Sequence, residues 1–161
     1  MRVRVIVPFT ILFLCLTSLY AIAGDIEDGF RGIAWGTPLS DIKHLNMKKA
    51  PGNSIPTYIA TNDDLRLGSI PLKRILYRFS SNARFIGVDL IFSSADTDAV
   101  YGQISILLGD PSSTDATPES NTAIWNSPML KTVLTSNATR GALSIRSKSV
   151  DRNGQNDDSF F

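Results

Sequence analysis

The sequence predicts an α+β fold, a mostly antiparallel sheet with two helices on one face. Three observations carry this. Alternating apolar and polar residues recur in the middle and near the end of the chain, as at 73–80 and 84–93. Two short stretches instead repeat apolar residues at helical spacing, one after Thr37-Pro38 and one after Asp96-Thr97. Strand-like runs follow each of these stretches with only short turns between them, which favours antiparallel pairing.

The chain opens with a charged start at Arg2 and Arg4. An apolar run from Val5 to about Tyr20 follows, closed by Ala21-Ile22-Ala23. That layout predicts a cleaved signal peptide over 1–23 and an exported protein, periplasmic first and secreted second. The run is short against the roughly 20 residues of a membrane span, so no transmembrane segment is expected in the mature chain. Cys15 is the only cysteine, and Leu14 before it is too large for a lipidation site. The mature chain therefore has no disulfide, thiolate metal site or cysteine nucleophile. An exported domain without disulfides relies on its core, which points to a bacterial envelope. Without Arg2 and Arg4, 14 basic residues stand against 15 acidic ones, so nucleic acid is not an expected partner.

The expected single domain covers 24–148. Phe30 to Gly36 reads as an apolar docking strand or turn. Thr37 as N-cap, Pro38 at the first helical position and Asp41 in the first turn predict a short helix that buries Leu39, Ile42 and Leu45 and ends near Asn46. Pro51, Gly52 and Pro56 mark a loop. Strands are expected at 57–61, 65–67, 73–80 and 84–93, with a tight turn at Ser81-Asn82. Ile75, Tyr77 and Phe79 share one face of their strand; Ile86, Val88, Leu90 and Phe92 share one of the next. Matching these faces pairs Ile75 with Val88 and sets Arg74 across from Asp89. The second helix is capped by Asp96 or Thr97, carries the stripe Val100, Ile104, Leu107 and Leu108, and stops at Gly109 before Pro111. A polar loop over 112–120 precedes strands at 122–126, 129–135 and 141–147. The polar tail 149–161 is expected to be disordered.

The segment Ser69-Ile70-Pro71-Leu72-Lys73 with Leu76 echoes Ser127-Pro128-Met129-Leu130-Lys131 with Leu134. An Asn-Ala turn follows each, at Asn82-Ala83 and Asn137-Ala138. The echo allows a tandem αβββ arrangement with halves at 30–94 and 95–148.

The run Phe30-Arg31-Gly32-Ile33-Ala34-Trp35-Gly36-Thr37-Pro38 resembles the opening of a group of small exported bacterial proteins that begin Gly-Ile-x-Trp-Gly-Thr before a short helix. Leu107-Leu108-Gly109-Asp110-Pro111 and Trp125 fall where that group has a Gly-x-Pro helix end and a strand tryptophan. More distantly, the chain resembles BamE-type assembly lipoproteins and the tandem-repeat β-lactamase inhibitor proteins, whose αβββ units bind other proteins. The resemblance implies the fold and a binding role; it implies no catalytic residue.

No chemistry-bearing constellation stands out. His44 is the only histidine, and no Gly-x-Ser-x-Gly elbow is present. Asp63-Asp64 lacks the glycine and distal glutamate of a calcium loop. The expectation is no catalytic, cofactor or metal site, and no cofactor. Two features could carry binding. Positive charge gathers around the middle hairpin at Arg74, Arg78 and Arg84, suited to an anionic partner. Trp35 and Trp125 could form an aromatic patch at the sheet rim. The leading expectation is an exported non-enzymatic envelope protein that binds another protein or an envelope component. The alternative is a small periplasmic hydrolase or ligand-binding protein using inconspicuous carboxylates.

Overall fold

A computed structural model describes residues 26–151, so the expected leader and the tail from residue 152 onward lie outside the described residues. The chain starts with a small hairpin, β1 (Gly29–Phe30) and β2 (Ile33–Ala34). Its two-residue turn holds Arg31 at φ 52° and Gly32 at φ 73°, the double positive φ of a type I′ turn. The first half of the main sheet follows: β3 (Met47–Lys49), β4 (Thr57–Ala60), β5 (Arg66–Leu67), β6 (Ile70–Phe79) and β7 (Phe85–Ser93). Helix α1 (Thr97–Leu108) leads to β8 (Ser113–Ala116), β9 (Asn121–Asn126), β10 (Leu130–Ser136) and β11 (Arg140–Ser147). A helical turn, α2 (Lys148–Asp151), occupies the start of the expected tail.

The main sheet has nine strands in the order β3-β4-β6-β7-β11-β10-β9-β8, with β5 pairing onto β6, and all its pairs are antiparallel. Each half is a meander that grows outward from the central pair β7–β11, where Leu90 faces Leu143 and Val88 faces Ile145. The echoing segments run into β6 and β10, the outer neighbours of that pair.

The two-helix expectation is corrected. The segment after Thr37 forms only a single 3₁₀ turn, Leu39–Asp41. Pro38 is extended at ψ 142°, and the backbone here bonds to the β6–β7 hairpin instead of to itself. The Gly36 N–H donates to the Phe85 carbonyl (2.7 Å), the Phe85 N–H to Thr37 (2.9 Å) and the Leu39 N–H to Ala83 (2.9 Å). Thr37 Oγ1 donates to the Ala34 carbonyl (2.8 Å) and caps nothing. A short helix has little to offset its nucleation cost, and these strand-like bonds win. Ile42 is still buried and Leu39 and Leu45 still pack on the core, so the apolar spacing was real but not helical. With one helix of any length the fold is a mostly antiparallel sheet carrying one helix, and the tandem αβββ arrangement falls with the missing first helix.

The hairpin register is corrected too. Ile75 faces Leu90 and Tyr77 faces Val88, two residues from the expected pairing, and Arg74 faces Ile91 rather than Asp89. The turn is longer than Ser81-Asn82: the Ala83 N–H bonds back to Ser80 (2.9 Å) and Ala83 takes φ 55°. A bulge beside Phe79 then turns Phe85, not Ile86, into the core cluster. Face parity survives because the slip is even. The polar loop expected over 112–120 contains the edge strand β8, four exposed residues paired with β9.

The core lies between one sheet face and α1. Phe79, Phe85, Val88, Leu90, Phe92 and Leu143 are completely buried there, against Val100 and Ile104 of the helix. Gly109 ends α1 at φ 79° and ψ −158°, and its N–H bonds to Ser105 (2.9 Å). That region is nearly closed to any residue with a Cβ. Gly109→Ala should therefore cost about 1–3 kcal/mol; urea unfolding should show a lowered midpoint with an unchanged slope.

Candidate functional site: the open face of the sheet

Strand alternation sends every second residue to the face away from α1. Aligning the pair registers gives rows across the sheet. One row runs Leu76, Asp89, Ser144, Val133, Ile124. A second runs Arg74, Ile91, Ala142, Thr135, Thr122. A third runs Arg78, Gly87, Arg146, Lys131, Asn126. Leu76, Ile91, Val133 and Ile124 are half-buried, an apolar strip in the middle of the face. Lys48, Arg74, Arg78, Lys131, Arg140 and Arg146 share this face by parity, against only Asp89 and Asp115. On the opposite side, the stretch 94–110, which contains α1, carries Asp96, Asp98 and Asp110 and neither lysine nor arginine.

Asp89 is the fixed point of this face. Arg78 reaches its Oδ2 through Nε (2.7 Å) and a terminal nitrogen (2.5 Å). Arg146 donates to Oδ1 (2.6 Å), and Ser144 Oγ donates to the same oxygen (2.9 Å). Arg146 also donates to the Val88 carbonyl (3.2 Å). Gly87 makes the room. A Cβ there would lie 2.5 Å from the Ile145 carbonyl oxygen and 2.6 Å from Arg146 Cδ. Burial pushes the Asp89 carboxyl up, but Arg146 and then Arg78 outweigh it, and its pKa lies below the ordinary carboxylate value.

A second polar network lies on the helix side. Tyr77, completely buried, donates its hydroxyl to Asp63 Oδ2 (2.5 Å). Asp63 in turn receives the Arg31 guanidinium, which also donates to the Asp64 and Arg66 carbonyls. Burial first, then the Asp63 carboxylate, raises the Tyr77 pKa far above its ordinary value, so the phenol stays protonated as a donor. The network ties the β1–β2 turn to the loop before β5.

The five residues singled out in the sequence are not brought together. Arg74 and Arg78 lie on the open face. Arg84 sits at the end of the β6–β7 hairpin and donates to the Gly36 carbonyl (3.1 Å). Trp35 is half-buried on the helix side, stacked on Phe85 at 4.9 Å, with its indole N–H on the Ile26 carbonyl (3.2 Å). Trp125 is only 3% exposed, packs beside Tyr101 and donates to the Gly109 carbonyl (2.9 Å). The tryptophans thus fill the core and cap the helix end. Lys48, Arg140 and Arg146 were not singled out in the sequence. The parity of β11, with Leu143 and Ile145 facing inward, is the signal that assigns Arg140 and Arg146 to the outside.

Among the described residues no helix is long and apolar enough to cross a membrane. Comparison of the chain with protein-family models, with curated proteins and with solved structures returns no match.

Because the Asp89 pKa is lowered on folding, its contribution is present above the unfolded value near 3.8 and is lost as pH falls through the lower folded value. Asp89→Asn should cost on the order of 2–3 kcal/mol at pH 7. That is less than the 3–5 of a fully buried pair, because the Arg78 side chain keeps 22% of its surface exposed. The deficit should shrink on acidification below pH 4; a constant gap between wild type and variant in thermal unfolding across pH 2–7 would contradict this account.

Proposed function

We propose that the chain is an exported, non-enzymatic protein of the bacterial envelope that binds another protein through the open face of its sheet. The observation that carries this reading is the segregation of charge on that face. Basic side chains surround a half-buried apolar strip, while the helix segment opposite, 94–110, carries three acids and no base. Such a surface steers an acidic partner into place and offers apolar area once contact is made. The leader-like opening of the sequence supports export.

The hydrolase alternative gains no support from the carboxylates. Asp63 and Asp89 are held in ion pairs with arginines that position structure.

The test is in-cell photocrosslinking from Thr135, an exposed position on the open face, with Tyr101 on α1 as control. The double charge reversal Arg74→Glu/Arg140→Glu leaves the Asp89 cluster intact. A protein adduct from Thr135, absent from Tyr101 and weakened at least tenfold by the double reversal, is expected. An adduct of equal yield in the double variant, or pelleting with anionic vesicles in place of any protein adduct, would overturn the reading.

A further inference from the structure

On the helix side, a cavity of about 150 Å³ opens between the β1–β2 turn, β5, α1 and β11. Core residues form part of its wall: Ile104, Leu143 and Ile145 line it and are almost wholly buried. Leu67 and Leu107 line it too and are only half-buried. Folded interiors rarely leave such a gap, and the atoms around it forgo dispersion contacts that a filled site would make. A cavity of this volume in another protein holds a benzene ring, so a body of about six carbons fits. The lining includes two charged residues, and both are arginines, Arg31 and Arg66. They are not equivalent. The Arg31 guanidinium is already occupied by Asp63 and by the Asp64 and Arg66 carbonyls. Arg66 is exposed, and among the described residues its side chain has neither an ion pair nor a hydrogen bond. An apolar hollow with one unengaged cation at its wall suits a molecule with a hydrocarbon body and one negative end. The Arg31 bonds also tie the β1–β2 turn to the loop before β5, so these walls are fixed before anything binds.

We infer that this cavity is a binding site for a small apolar monocarboxylate, with the hydrocarbon body among Leu67, Ile104, Leu107 and Leu143 and the carboxylate paired with the Arg66 guanidinium. The site lies on the face opposite the proposed docking surface, so it stands independently of that reading.

Isothermal titration of the mature chain with hexanoate and benzoate, each beside its neutral alcohol (hexanol and benzyl alcohol), tests it. At least one carboxylate should bind saturably, and the tighter of the two tells a chain from a ring. It should outbind its alcohol about 2- to 5-fold at low ionic strength, the margin of an exposed ion pair, and lose that margin in high salt. Arg66→Gln changes an exposed side chain. It should leave the Tm unchanged and put the alcohol level with the carboxylate or ahead of it. Arg66→Lys should keep part of the preference. Leu107→Trp, filling the cavity from a half-buried position, should abolish binding of every probe. Absence of saturable binding by both carboxylates would overturn the inference. So would a carboxylate-to-alcohol ratio that is the same in wild type and Arg66→Gln, whether or not Leu107→Trp folds.

Discussion

The structure depends on one buried carboxylate. Asp89 lies on β7, at the seam where two meanders meet, and its two arginines come from opposite sides of that seam. Arg78 reaches it from β6 and Arg146 from β11, while Ser144 supplies a third donor. Backbone pairing alone would let β11 slide along β7. Donors on both neighbours favour this register, because a slip of β11 by two residues would take Ser144 from opposite Asp89 and Arg146 from opposite Gly87, whose missing Cβ makes its room. The apolar pairs Leu90–Leu143 and Val88–Ile145 beneath it then fall into place on the core side. Breaking the cluster is costly, although a well-packed apolar replacement of all its members need not be.

That register also decides what the outer face is. An antiparallel sheet covered on one side normally shows water a polar second face. Here the second face carries an apolar strip flanked by cations, and the two arginines nearest its centre are already engaged by Asp89. Charge left for an approaching partner sits on Arg74, Arg140 and Lys48, at the margins, where solvent screening is strongest. Such charge sets the rate and direction of encounter more than the final affinity.

Most strands and the long helix were legible locally. Alternation marked β6, β7, β10 and β11, and the Val100–Ile104 stripe with Gly109 marked α1. What was not legible came from distant pairing. Thr37-Pro38 has good helix-start chemistry, yet residues 83–85 take its backbone bonds. The Asp89 cluster combines residues 57 positions apart, and the sequence offers no local sign that Arg146 belongs with it. Hairpin register depended on Ala83 entering a positive φ, which an alanine does not advertise. The tryptophans were visible as large aromatics, but their burial follows from the carbonyls that accept their N–H groups, on Ile26 and Gly109.

The outer ends of the sheet have a consequence for how the protein behaves at high concentration. β3 is three residues long and presents Lys48 and Lys49; β8 is four residues long, wholly exposed, and presents Asp115. Short, charged edges give an incoming strand too few hydrogen bonds and the wrong electrostatics to extend the ladder. A nine-stranded antiparallel sheet would otherwise be a template for filament growth. These two strands close it off without any barrel closure, so the protein can keep a broad, partly apolar sheet face in solution while remaining resistant to edge-to-edge aggregation.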